Sequence, residues 1–162
     1  MSRRLIVMRH AKSSWSDDML SDHERPLNDR GRFEAPLVAR KLIELGWVPD
    51  LVLSSDAERT RETWECMEGA FEEAIEVRWL PSFYHAGMNE VFEALDELEE
   101  EETILVLGHN PGWEGVVSWL SAEQISMTTA NAALLEAEGE SWEEALEQGI
   151  WELIDVIRPK EL

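Results

Sequence analysis

Three short, unbroken apolar runs do most to limit what this chain can fold into. They occupy residues 5–8, 51–53 and 104–107, and each is too short for a globular helix. Runs of this kind are typical of strands that are buried on both faces of a parallel sheet, because a strand with one wet face would alternate apolar and polar residues. The sequence therefore predicts a parallel sheet that is covered on both sides.

Helical patterns and weaker strand patterns fill the rest of the chain. Asn28 is the predicted cap of the first helix, and Pro36 predicts a kink or a late start in it. Pro111 is expected at the first position of a later helix, and Ser141 at the cap of a short one. Helices are predicted at residues 28–46, 56–71, 91–98 and 111–120, and further strands at residues 75–80, 133–138 and 150–157. This alternation predicts a single α/β domain over residues 1–162, a three-layer α/β/α sandwich with a mostly parallel central sheet.

The charge balance excludes several classes of partner. The chain has 35 acidic residues and 14 Lys or Arg residues, which give a formal net charge of −21. So acidic a surface repels nucleic acid and anionic lipid, and any phosphate site must be a local basic island. The single cysteine, Cys66, cannot form an intrachain disulfide, which fits a reducing compartment. We expect a cytoplasmic protein without a membrane span or signal peptide, as a monomer or weak dimer.

Polar residues follow each of the three apolar runs. The first run ends in Arg9 and His10, the second is followed by a segment that contains Arg59, and the third ends next to His109. The carboxyl ends of parallel strands meet at one edge of a sheet, which is where α/β proteins bind ligands. The guanidinium group of arginine presents N–H donors at the spacing of phosphate oxygens, and a neutral imidazole is a nucleophile toward phosphorus. This set predicts phosphoryl chemistry without a metal or other cofactor, because no metal-binding His or Cys spacing is present.

Three motifs carry a resemblance to a known family. Residues 8–13 (MRHAKS) resemble the R-H-G/A signature of the histidine phosphatase superfamily, residues 54–63 (SSDAERTRET) its S-S-x-x-x-R-T-x-x-T segment, and residues 108–112 (GHNPG) its third block. Residues 25–31 (RPLNDRG) and the third block are most similar to the SixA branch, the phosphohistidine phosphatases. The resemblance covers residues 5 to about 159, and implies a phosphoglycerate-mutase-like fold.

The resemblance also implies roles for individual residues. His10 matches the nucleophile that becomes phosphohistidine, and Arg9 and Arg59 match the two arginines that hold the phosphate. His109 matches the second histidine of the pocket, and Arg25 a further phosphate-binding arginine of SixA-like proteins.

One departure from the family pattern bears on the substrate. Many members have a glutamate general acid after the third strand, whereas residues 81–87 (PSFYHAG) contain no carboxylate. A phosphoester needs its leaving alkoxide protonated, but phosphohistidine has a better leaving group. The sequence therefore favours an N–P substrate, with His85, Asp18 or no residue as the acid. The nearest alternative is a phosphatase of small phosphoesters, and the alternative from another class is a non-catalytic module that binds phosphate or a phosphoprotein.

Overall fold

Six strands form one sheet in the computed structural model, which describes residues 2–162. The spatial order is β3-β2-β4-β1-β5-β6. The first four of these strands are parallel to one another, β5 pairs antiparallel with β1, and β6 pairs antiparallel with β5 at the edge of the sheet. The strands are β1 Ser2–Arg9, β2 Leu51–Ser55, β3 Glu76–Leu80, β4 Thr103–Gly108, β5 Ala132–Glu138 and β6 Glu152–Ile157.

Five helices connect and cover these strands. They are α1 Asp29–Glu44, α2 Glu58–Glu68, α3 Met88–Asp96, α4 Gly112–Ser121 and α5 Trp142–Ala145. Short 3₁₀ turns lie at Asp22–Glu24, Pro81–Phe83 and Pro159–Glu161. Within residues 2–162, none of the helices has the length and apolar character needed to cross a membrane.

The apolar runs supply both faces of the sheet. In β1, Leu5 and Val7 pack into the core that α3, α4 and α5 cover, whereas Ile6 and Met8 pack into the core that α1 and α2 cover. The central strands β2 and β4 alternate in the same way, so their continuous apolar sequences have no solvent-facing side. The three-layer α/β/α fold with a mostly parallel sheet is thereby confirmed.

The structure confirms Asn28 as the cap of the first helix, and of the two alternatives predicted from Pro36, a kink or a late start, the late start is wrong. Helix α1 begins at Asp29, and the side chain of Asn28 accepts a hydrogen bond from the backbone N–H of Gly31 as its cap. Pro36 lies inside the helix. The first turn forms despite Pro36 because it packs against the loop that follows β1. The Asn28 N–H donates to the Lys12 carbonyl, and a Cβ on Gly31 would overlap that same oxygen.

The start of α4 also differs by one residue from the prediction. Pro111 is the residue before the helix, and Gly112 is its first helical residue. A Cβ at Gly112 would overlap the carbonyl oxygen of Ala86. The third motif therefore places a glycine where α4 meets the backbone that follows β3.

Substitution of Gly112 by alanine is expected to lower the free energy of unfolding by about 2 kcal/mol, because a backbone oxygen must move to admit the methyl group. Urea unfolding measures the change. Gly115 lies in the same helix with nothing near its potential Cβ, so Gly115→Ala is the matched control and should stabilise the protein by about 0.5–1 kcal/mol. Equal effects of the two substitutions would contradict this close contact.

Candidate active site

The sheet register places two histidines side by side. Arg9 at the end of β1 is opposite Gly108 at the end of β4, so His10 and His109 are the next residues on neighbouring strands. Their ring centroids lie 5.3 Å apart, and each residue is less than a tenth exposed, His10 at 6% and His109 at 8%. This proximity follows from parallel pairing of the two apolar runs.

The hydrogen bonding of His10 fixes its tautomer. Its Nδ1 lies 2.7 Å from the carbonyl oxygen of Ala11. A carbonyl only accepts, so Nδ1 carries the proton and Nε2 keeps a free lone pair. Burial, aided by the charges of Arg59, Arg9 and Arg25, lowers the pKa of His10 to about 3 despite this hydrogen bond. The imidazole is therefore neutral at physiological pH, which is the form that can act as a nucleophile.

His109 has the opposite arrangement of donor and acceptor. Its Nε2 lies 2.8 Å from the Ser55 hydroxyl, which already accepts a hydrogen bond from the Ala57 backbone N–H. The Ser55 hydroxyl proton also needs an acceptor, and His109 Nε2 is the one within hydrogen-bond distance among residues 2–162, so the network is best satisfied when Ser55 donates to Nε2 and the His109 proton is on Nδ1. Burial, together with the nearby His10 and Arg59, lowers the pKa of His109 to about 3. His109 is thus a neutral side chain with an N–H that no protein group accepts.

Two arginines are fixed beside the histidines by their terminal nitrogens. Arg59 is the second residue of α2, and its Nη1 and Nη2 donate to the backbone carbonyl and side-chain carboxylate of Asp22, at 2.7 and 3.1 Å. The Nη1 of Arg9 donates to the Met127 carbonyl at 3.0 Å. The Nε–H of each arginine is buried without a protein partner.

Unpartnered buried donors concentrate at this edge of the sheet. Within residues 2–162, five buried side-chain nitrogen or oxygen atoms lack a partner: Arg9 Nε, Arg59 Nε, His109 Nδ1, Trp64 Nε1 and Glu101 Oε2. Three of the five belong to the cluster around His10. A buried donor without an acceptor is costly, so such a group in a native protein needs an explanation. Burial and the charges of Arg59 and Arg9 lower the pKa of His10, and the His109 ring lies 5.3 Å from the His10 ring, so these unused donors belong to residues that surround His10.

Sequence reasoning missed the residue that joins the two sides of the site. The Asp22 carboxylate accepts hydrogen bonds from Tyr84, Arg59 and Arg25. The Tyr84 hydroxyl, with added help from the two arginines, lowers the pKa of Asp22 to about 2. Asp22 is therefore ionised at neutral pH and cannot donate a proton. Its position three residues before Arg25 was the available signal, but it indicates a local ion pair as readily as a site residue.

Arg25 lies at the entrance of the cluster. It is 7% exposed, its Nη1 donates to the Ser13 hydroxyl at 2.8 Å, and its Nε donates to Asp22 at 3.2 Å. Its charge is among the causes that lower the pKa of His10. The structure therefore brings all five predicted site residues to one edge of the sheet, while their chemical roles stay predictions.

The last threonine of the second motif ties two motifs together. Thr63 accepts a hydrogen bond from the Ala11 backbone N–H at 3.0 Å and donates to the Arg59 carbonyl at 2.7 Å. The loop after His10 is thereby held against the helix turn that bears Arg59.

Glu114 fixes the segment that binds Arg9. Its carboxylate accepts a hydrogen bond from the backbone N–H of Met127, whose carbonyl accepts from Arg9.

The two candidate acids differ in position. His85 is exposed and its ring lies 4.1 Å from that of Tyr84, which in turn contacts His109 edge-on at 5.6 Å. Asp18 is also exposed, and no hydrogen bond or ion pair joins it to His10 or His109 among residues 2–162. Over the same residues, no group of three or more His, Cys, Asp or Glu side chains is arranged to hold a metal ion.

Acid is expected to destabilise the protein through the two buried histidines. In the unfolded chain each imidazole has a pKa of about 6.5 and becomes protonated between pH 7 and pH 5. In the folded protein His10 and His109 stay neutral over this interval because their pKa values are about 3. The free energy of unfolding therefore falls as the pH falls, by about 2 kcal/mol for each histidine over this interval. Urea unfolding at pH 7 and pH 5 measures this fall. In His10→Asn the free energy of unfolding should fall by about 2 kcal/mol less than in the wild type over the same interval. The same fall in both proteins would contradict burial of a neutral His10.

Known proteins resemble this chain in sequence and in fold. The model of the histidine phosphatase superfamily (branch 1) matches residues 5–84. An uncharacterized chloroplastic protein of Arabidopsis thaliana is 45% identical over 172 residues, which are 98% of this chain and 79% of that protein.

Two solved structures, each of a proposed phosphohistidine phosphatase SixA, extend the similarity to nearly the whole fold. The protein from Agrobacterium tumefaciens has a TM-score of 0.84 and 27% identity, over 97% of this chain and 98% of that chain. The protein from Nakamurella multipartitia gives the same two values over 98% and 97%. The chain belongs to the histidine phosphatase superfamily, with its phosphoglycerate-mutase-like fold, and this membership implies phosphatase activity. Within the superfamily it is of the SixA type.

Proposed function

We propose that this protein is a phosphatase that forms a phosphohistidine intermediate on His10, and that its substrate is phosphohistidine on a partner protein. One observation carries the proposal. A neutral His10 with a free Nε2 lone pair lies among three buried donors without partners, Arg9 Nε, Arg59 Nε and His109 Nδ1. A nucleophile next to donors for the oxygens of a transferring phosphoryl group is what this reaction requires.

The reaction proceeds in two displacements. First, the His10 Nε2 lone pair attacks phosphorus, and the P–N bond to the substrate imidazole, which is protonated on its other ring nitrogen, breaks with its electrons going to the departing nitrogen, so that a neutral imidazole leaves and His10 becomes a phosphorylated imidazolium. Arg9, Arg59 and His109 donate hydrogen bonds to the non-bridging oxygens, whose charge they stabilise. In the second displacement a water oxygen attacks phosphorus, the bond to His10 breaks, and inorganic phosphate leaves. His10 returns to its neutral form, and the water protons are shared between phosphate and solvent.

The electrostatics of the site favour phosphohistidine over a phosphoester. The carboxylate next to Arg59 is Asp22, and its pKa of about 2 keeps it ionised and unable to protonate an alkoxide. An imidazole that carries its own proton leaves without such an acid. The resemblance to SixA proteins supports the same substrate class.

A comparison of substrates tests the proposal. The protein is assayed with a phosphohistidine-bearing protein and with a panel of sugar phosphates, and then analysed by mass spectrometry after brief exposure to each donor. We expect faster turnover of phosphohistidine and a transient phosphate on His10. A clear preference for sugar phosphates would support a small-molecule phosphatase, and phosphate binding without turnover of either substrate would support a non-catalytic module.

A further inference from the structure

The loop that leaves the site after β1 exposes two large apolar side chains. We name residues 14–20 the rim loop; in it Trp15 is 74% and Met19 is 88% exposed. Among the large hydrophobic residues of positions 2–162, these are the two most exposed, ahead of Phe33 at 69%. Exposed apolar side chains that cluster next to a functional site are typical of contact surfaces.

The rim loop is connected to the phosphate-binding groups by direct contacts. The Arg25 guanidinium carbon lies 3.4 Å from the centre of the Trp15 ring. Arg25 also donates to Asp22, and Asp22 accepts from Arg59. One face of the Trp15 ring therefore covers an arginine of the site, while most of the side chain remains open to solvent.

The rim loop is also negatively charged. Asp17 and Asp18 are exposed within it, and Glu24 is exposed just beyond it. A small phosphoester has neither apolar surface for Trp15 and Met19 nor positive charge for these carboxylates. A polypeptide with basic side chains near its phosphohistidine has both, and the overall charge of −21 attracts such a segment from a distance.

Local hydrogen bonds hold the rim loop in place before any partner binds. The Ser14 backbone N–H donates to the Pro26 carbonyl at 2.8 Å, and the Met19 backbone N–H donates to the Asp17 carboxylate at 3.0 Å. An ordered loop loses less conformational freedom on binding than a mobile one.

We infer that the rim loop docks the polypeptide that flanks the substrate phosphohistidine, with Trp15 and Met19 as apolar contacts and Asp17 and Asp18 as the groups that select a basic flank. This inference rests on the function proposed above, and it deepens that function by stating the chemistry of the partner. The same surface gives no advantage to a phosphoryl donor that lacks a polypeptide.

Two kinds of donor separate docking from chemistry. Phosphoramidate presents the P–N bond alone, whereas phosphohistidine peptides flanked by Lys or by Glu add a polypeptide of either charge. For Trp15→Ala and Met19→Ala, we expect kcat/KM on the Lys-flanked peptide to fall about tenfold, the effect of losing one apolar anchor, while phosphoramidate turnover changes less than about twofold. Phe33→Ala, an equally exposed aromatic outside the rim loop, is the control and should leave both reactions unchanged.

Charge reversal tests the second part of the inference. The wild-type protein should prefer the Lys-flanked peptide, and Asp18→Lys, which keeps the Asp17 hydrogen bond that orders the rim loop, should weaken that preference, with both effects becoming smaller as salt is added. Equal losses on peptide and phosphoramidate would mean that the rim loop only supports Arg25, and unchanged peptide kinetics would also overturn the inference. If the wild-type protein turns over neither donor, the proposed function is wrong, and the inference that rests on it is wrong too.

Discussion

Replacing His10 with asparagine is expected to lower phosphatase turnover by about a thousandfold or more, as loss of a catalytic nucleophile does in other hydrolases. The amide N–H of asparagine can replace the Nδ1 donor that bonds to the Ala11 carbonyl, so the loop after β1 keeps its hydrogen bond. The substituted side chain has no basic nitrogen at the position of Nε2, and no covalent intermediate can form. Turnover of a phosphohistidine protein measures the first effect, and mass spectrometry of the trapped protein measures the second.

His23→Asn is the control for that substitution. The His23 side chain is 41% exposed, pairs with Asp56 at 2.9 Å, and makes no hydrogen bond to Arg9, Arg59 or His109 among residues 2–162. We expect this variant to keep most of the turnover and to be phosphorylated on His10 as in the wild type. A His10→Asn protein that folds, as judged by its urea unfolding curve, and still turns over within tenfold of wild type would remove His10 from the nucleophile role.

The central part of the fold and its histidine pair were predictable because they depend on short-range sequence patterns. Apolar runs without alternation require burial on both faces, and this alone indicates parallel strands with helices on either side. Once β1 and β4 pair in parallel, the residues that follow each strand must meet, so His10 and His109 come together from positions 99 residues apart. No side-chain detail is needed for that inference.

Other features depend on contacts that one sequence does not reveal. Asp22 links Arg59, Arg25 and Tyr84, but its spacing from Arg25 in the sequence is also that of an ordinary local ion pair and does not identify it as a site residue. A late start of α1, one of the two alternatives predicted from Pro36, was wrong because the cost of a proline is local, whereas the packing of Gly31 against Lys12 is tertiary. The proton positions on the two histidines likewise follow from neighbours that the fold supplies.

Substitution of Arg59 by lysine is expected to lower kcat/KM by about a hundred- to a thousandfold, although the charge is kept. Both terminal nitrogens of Arg59 bind Asp22, its buried Nε–H has no partner among residues 2–162, and its charge is close enough to His10 to add to the effect of burial in lowering the pKa of that imidazole. A lysine ammonium that pairs with Asp22 has no second nitrogen at the position of Nε. The transition state therefore loses a hydrogen bond to an oxygen that gains charge, in a site where little water is present to replace it.

Arg61→Lys controls for the loss of a guanidinium from the same helix. Arg61 lies two residues further along α2, where its Nε donates to the Asp56 carbonyl at 3.0 Å and its guanidinium covers the Trp79 ring. This change should leave kcat/KM within about twofold of wild type, since exposed or partly buried surface contacts contribute little. If Arg59→Lys also stayed within tenfold on both phosphohistidine and phosphoramidate, the Nε–H of Arg59 would not be a phosphate contact. The positive charge alone would then account for its contribution.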